Sequence, residues 1–171
     1  MRLNAKAKAA ADAEKKKRRK SKYLVCVDAY EYSVMALRFA CSVAKNNGCP
    51  VELIHVLAPI DFKTFHAVAD KMRDENRQKA EKLLEGYCEE AHRWAGVTPS
   101  LNIREGEIEE EIVSAVEEDS SINMLVLGTS PDSGNRSKLL TELVSKLHDR
   151  LVIPMLIVPG NITEHQINEL T

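Results

Sequence analysis

The apolar positions of this chain switch repeatedly between two periods. Tyr23-Leu-Val-Cys-Val-Asp28 is a short apolar run closed by an acid, which suits a strand buried on both faces. Val34, Leu37, Cys41 and Ala44 then fall at helical spacing, and Asn46-Asn47-Gly48 halts that helix. Val51 to Leu57 reads as a second strand, after which Ala58-Pro59 opens an irregular stretch containing Phe62, Phe65 and Val68. A long helix from about Met72 to Trp94 carries Ala80, Leu83, Leu84, Tyr87, Cys88, Ala91 and Trp94 on one face, with Gly96 as its stop. Ser100 to Arg104 alternates like a strand. Beyond Gly106, Ile108, Ile112, Val113 and Val116 mark a helix, and Glu107, Glu109 and Glu110 lie near the positive end of its dipole. Asn123 to Gly128 is the strongest strand. The polar segment Thr129 to Ser137 separates it from a helix of Leu139, Leu140, Leu143, Val144 and Leu147. Pro154 to Val158 is a last strand, ended by Pro159-Gly160, and residues 163–170 have the pattern of a short amphipathic helix.

Strands alternating with helices over short connections imply right-handed crossovers, hence an α/β fold with a parallel sheet covered on both faces. The order of the strands is not legible in spacing alone.

A length of 171 residues with 44% apolar content predicts one domain with a substantial core, built from Leu, Ile, Val and Ala because aromatics are only 5%. The net charge of −2 conceals an asymmetry: residues 1–22 hold ten basic against two acidic side chains, and the remainder is acidic. The chain therefore divides into a basic low-complexity tail (1–22), a folded body (23–160) and a short C-terminal tail (161–171). The basic tail has few apolar residues to bury and reads as disordered or transiently helical. No apolar run follows its charges as in a secretory signal, and it is too acidic and too poor in Ser for a mitochondrial presequence. No apolar stretch approaches the roughly 20 residues that cross a bilayer. Cys26, Cys41, Cys49 and Cys88 form no Cys-x-x-Cys pair, the pattern of thiols in a reducing compartment, so the expected location is the cytoplasm.

Five segments resemble the universal stress protein family. Val25-Cys26-Val27-Asp28 looks like its opening strand with a terminal Asp, and Leu53-Ile-His55-Val56 like its second strand. Ile103-Arg104-Glu105-Gly106 before an acidic helix is similar to the third strand and its turn. Leu125-Val-Leu-Gly128-Thr129 resembles the fourth strand and the start of a phosphate loop, and Pro154-Met-Leu-Ile-Val-Pro159 the closing strand. The match spans about residues 22–160 and leaves the basic tail outside.

The resemblance implies five parallel strands in the order 3-2-1-4-5, a fold of the adenine-nucleotide alpha-hydrolase type, with the chain reversing between the first and fourth strands. A ligand crevice forms at the carboxyl ends of strands flanking such a reversal, so Asp28 and Gly128 should face each other across it. The implied nucleotide-binding residues are Val27, Asp28, Ala29, Val56, Leu127, Gly128, Ser130, Ser133, Gly134, Asn135 and Leu143. Asp28 would accept from a sugar hydroxyl or hold a metal, and Val56 and Leu127 would pack on a base. Each has a plainer role as well: Asp28 as a helix cap, the other two as core.

In ATP-binding members the phosphate loop reads Gly-x-x-Gly, nine residues, then Gly and a hydroxyl residue. Here Pro131 and Gly134 are laid on the leading glycines, Thr141 on the third, and Glu142 on the hydroxyl position. Glycines bring backbone N–H groups close to phosphates and the next helix adds its dipole. Pro131 removes a donor, and Glu142 brings negative charge toward a phosphate. Against this, Thr129, Ser130, Ser133, Asn135 and Ser137 supply donors, and Arg136 and Lys138 positive charge. Two outcomes stay open: an empty or differently filled cleft, and one that takes ATP or a related adenine nucleotide.

No catalytic constellation emerges. His55, His66, His92, His148 and His165 show no metal-like clustering, and His92 with Cys88 makes only two ligands. There is no Gly-x-Ser-x-Gly elbow, and the acidic runs 107–111 and 117–119 read as solvated helix faces. Pro154 to Val158 would be an apolar sheet edge in need of cover. Family members commonly pair this strand across a two-fold axis, so the resemblance implies a homodimer built there. Lys15 to Lys20 could attract nucleic acid, anionic lipid or an acidic partner by charge, though a solvated tail without a dedicated partner is the simpler reading. The expectation is a regulatory or protective stress protein that binds or docks. Its alternatives are a nucleotide-sensing module and, third, a slow ATPase dependent on Asp28.

Overall fold

The computed structural model describes residues 21–59, 66–130 and 138–171. In chain order the elements are β1 (Lys22–Cys26), α1 (Tyr32–Asn47), β2 (Val51–Leu57), α2 (His66–Ala95), β3 (Ser100–Glu105), α3 (Ile108–Glu118), β4 (Ile122–Thr129), α4 (Lys138–Leu147), β5 (Met155–Pro159) and α5 (Glu164–Leu170). All strand pairs are parallel and the sheet order is β3-β2-β1-β4-β5, as the resemblance implied.

Side chains alternate across a strand, so the central strands supply two cores at once. Tyr23, Val25 and Val27 join Leu53 and Val126 against Leu37, Ala40, Cys41 and Ala44 of α1 and Leu84, Tyr87 and Ala91 of α2. Leu24 and Cys26 join Ile54, Leu125 and Leu127 against Ile112, Val113 and Val116 of α3 and Leu143 and Leu147 of α4. This double burial is why β1 and β4 read as unbroken apolar runs.

Gly48 closes α1 in the left-handed region (φ 65°), its N–H turned back to the carbonyls of Ala44 and Lys45. The last helix docks on α1. Ile167 is fully buried, and Thr163 and Gln166 form a reciprocal capping box at its start. Arg38 of α1 stacks over Trp94 at 4.9 Å and pairs with Glu90 of α2 and Glu164 of α5, tying three helices together.

Two boundaries differ most from expectation. β1 ends at Cys26, so Asp28 lies in the turn beyond it. α2 begins at His66, six residues before Met72. Its early turns are held by charge, with Lys71–Glu75 and Arg77–Glu81 at i, i+4 and Arg73 bonded to Glu105 of β3, so apolar periodicity could not reveal them. The basic tail as far as residue 20, Phe62, Phe65 and the loop 131–137 lie outside the described residues.

Candidate functional site

The positions of the strand tips are set by register. Cys26 of β1 stands beside Leu127 of β4, so one step on the chain places Val27 and Asp28 next to Gly128 and Thr129. The other flank of β1 is fixed by β2: Val27 N–H bonds the Ile54 carbonyl, and the His55 ring Nδ1 lies 2.8 Å from the Val27 carbonyl.

Asp28 is the hub of the turn between β1 and α1. Its Oδ1 accepts from the Ser33 hydroxyl (2.7 Å) and from the Tyr30 N–H (3.1 Å). Its Oδ2 accepts from the Tyr32 hydroxyl at 2.6 Å. The Asp28 N–H donates to Ser33 Oγ (3.2 Å), and the Asp28 carbonyl accepts from the Tyr87 hydroxyl of α2 (2.6 Å). Burial, with the Asp28 charge adding to it, pushes the Tyr87 phenol up to about 12, so it remains a donor throughout the physiological range. The same two causes push the Cys26 thiol up to about 12, which makes it unreactive.

Tyr32 reaches both strand tips. Its hydroxyl sits on Asp28, while its backbone oxygen and ring Cδ2 lie 2.7 and 3.0 Å from where a side chain on Gly128 would begin. Only glycine lets the start of α1 approach β4 this closely. Tyr30 stacks on Tyr32, with centroids 5.4 Å apart and planes 13° from parallel, and is itself 61% exposed.

The candidate residues taken from the sequence meet different fates. Asp28 and Gly128 come together as expected. Val27, Leu127 and Leu143 are buried core, Val56 is half-buried against the α3–α4 core, Ala29 is exposed and Ser130 half-buried. Ser133, Gly134 and Asn135 lie outside the described residues. Asp28 does not cap α1: that place belongs to Glu31, whose side chain makes no capping bond, and Asp28 braces the preceding turn instead. Nine residues before Thr141 end at Pro131, so the leading glycine positions are Gly128 and Pro131, not Pro131 and Gly134. Gly134 then falls inside the loop.

Tyr32, Ser33 and Tyr87 were missed. The first two carried a signal: a hydroxyl four and five residues after a strand-terminal Asp, at a helix start, can fold back on the carboxylate. Tyr87 carried none, because its apolar neighbours already account for its place on the helix. Among the described residues no three His, Cys, Asp or Glu side chains group as metal ligands.

The universal stress protein family model matches residues 21–159, and the chain belongs to this family. Bacillus subtilis universal stress protein YxiE is 27% identical over 148 residues, covering 81% of this chain and 98% of that protein. Among solved structures, the universal stress protein UspA of Lactobacillus plantarum is similar with a TM-score of 0.67 at 15% identity, covering 82% of this chain and 98% of the other. The universal stress protein of Archaeoglobus fulgidus in complex with dAMP gives 0.60 at 19%, covering 80% and 96%. An Arabidopsis thaliana family member with AMP bound gives 0.59 at 21%, covering 82% and 92%. At these identities the structures establish the shared fold. No helix among the described residues is long and apolar enough to cross a membrane.

Proposed function

We propose that this universal stress protein acts by binding or docking rather than by turnover, as a regulatory or protective component of a stress response, with a crevice that does not hold ATP tightly. One observation carries the reading: Tyr32 touches both strand tips, and its hydroxyl takes an oxygen of Asp28 that a ligand would need. Pro131 and Glu142 in the phosphate-loop pattern add to it, one lacking a donor and the other carrying the wrong charge. The four cysteines are free, which supports a reducing, cytoplasmic setting.

The site residues proposed for any nucleotide are Asp28, Ala29, Val56, Gly128 and Ser130 at the crevice, with Ser133, Gly134 and Asn135 from the loop. Val27, Leu127 and Leu143, also proposed, are buried core on the two faces of the sheet. The assembly is proposed to be a homodimer through β5, since Ile157 is exposed on that edge and Val152 just before it is 92% exposed. The opposite edge is guarded by charge, with Arg104 paired to Glu118 and Glu105 to Arg73.

A second reading is favoured by the relatives solved with dAMP, cAMP and AMP: a nucleotide sensor with at most slow ATPase activity. Calorimetric titration with ATP and magnesium, with native mass spectrometry of the purified protein, separates the two. Absence of saturation at micromolar ATP and of retained nucleotide supports the first. Micromolar affinity or copurified nucleotide establishes the second.

A further inference from the structure

We propose that a cavity at the carboxyl ends of α1, α2 and α5 binds a small neutral polyhydroxylated molecule, a sugar or a polyol, at a site separate from the tips of β1 and β4.

The cavity measures about 390 Å³, within the range of small-molecule sites. It is lined by Ser42, Lys45 and Asn46 of α1, Trp94 near the end of α2, and Asn168 and Thr171 in and just after α5. Three helices run into it in one direction. Arg38 of α1 meets Glu90 of α2 and Glu164 of α5; one turn on, Ser42 meets Trp94, and a further turn on, Asn46 meets Thr171. The site therefore lies roughly 15–20 Å along α1 from Tyr32, at the other end of that helix.

The groups left unused around the cavity decide the ligand. Among the described residues, the side chains of Lys45 and Asn168 have no hydrogen-bond or ion-pair partner. Ser42 Oγ accepts from the Trp94 indole N–H at 2.9 Å and keeps its own O–H to donate. Asn46 donates its amide N–H to the Thr171 carbonyl at 2.6 Å and keeps its amide oxygen to accept. An ammonium, a hydroxyl and two carboxamides thus offer donors and acceptors side by side, and a hydroxyl group satisfies both.

Charge excludes the other classes. Helices that end together add their dipoles and leave their last carbonyls without intrahelical partners, which disfavours an anion. The Lys45 ammonium disfavours a cation. An apolar molecule would leave the amides and the ammonium without hydrogen bonds. Trp94 adds an aromatic wall, held in orientation by its bond to Ser42 and by Arg38 stacked on the ring at 4.9 Å, against which the C–H surface of a sugar ring can pack.

Trp94 is the chain's one tryptophan, so its fluorescence reads this cavity directly. The test titrates the full chain with glucose, trehalose and myo-inositol, and with glucose 6-phosphate and protonated glucosamine as charged counterparts. The expected result is saturable millimolar binding of at least one neutral ligand, weakened about tenfold or more in Asn168→Ala, with thermal unfolding to verify that the variant is folded. Neither charged sugar should match the best neutral one in the wild type, and Lys45→Ala should bring glucosamine level with it. No saturation by any neutral ligand, undiminished binding in folded Asn168→Ala, a charged sugar bound best by the wild type, or a glucosamine deficit that persists in Lys45→Ala overturns the inference.

Discussion

A methyl group at position 128 would begin 2.7 Å from the carbonyl oxygen of Tyr32, a backbone atom that cannot swing aside. Gly128→Ala is therefore expected to destabilise the fold by about 1–3 kcal/mol, measured as a lower urea midpoint at unchanged slope, whether or not a nucleotide is ever bound. The glycine was legible in the sequence as the end of the fourth strand; that the start of α1 approaches it closely was not. Asp119 offers a second test at this scale. Its hydrogen bond from Lys22, with further bonds from Ser121, holds its carboxyl down from 3.8 to about 2. A depressed folded-state value means that the stabilisation is present above the unfolded value and lost as pH falls through the folded one. Urea midpoints should accordingly drop between pH 3.8 and about 2, and Asp119→Asn should flatten that part of the profile.

Among the elements, α5 tests how far the body extends past the last strand. Ile167 is fully buried, and the chain around it is tied by the Arg38–Glu164 pair and the capping box. Ile167→Ala is expected to cost about 2–4 kcal/mol in chemical denaturation, the range for emptying a buried aliphatic site. Its amphipathic pattern was readable from residues 163–170; its docking surface was not, since Arg38 sits in a helix whose apolar stripe gives no hint of a polar clasp. The start of α2 shows the converse. Ion pairs along a solvated helix leave no apolar period, and the tertiary bond from Arg73 to Glu105 ties these early turns to the sheet.

For the whole molecule, the alternation of apolar runs specified a parallel α/β sheet, whereas the order β3-β2-β1-β4-β5 came from family likeness, because spacing does not distinguish one crossover route from another. That order brought the ends of β1 and β4 side by side, but Tyr32 between them went unread, since aromatic residues at a helix start look like ordinary surface until the turn before them is folded. The proposed dimer belongs to this scale. Sizing by light scattering is expected to give twice the chain mass for the wild type and the monomer mass for Ile157→Lys, a charge placed on the exposed face of β5. A wild-type monomer would remove the β5 interface from the account.

Val25 lies beside Leu53 on one side and beside Val126, about a hundred residues later in the chain, on the other. During synthesis the first three strands can associate as soon as they leave the ribosome, but the middle strand keeps one bare flank until the fourth emerges. The junction of the β1 and β4 tips is thus among the last features to exist, and a nascent chain stalled before Ile122 would present unpaired backbone at its centre, an obvious substrate for chaperones.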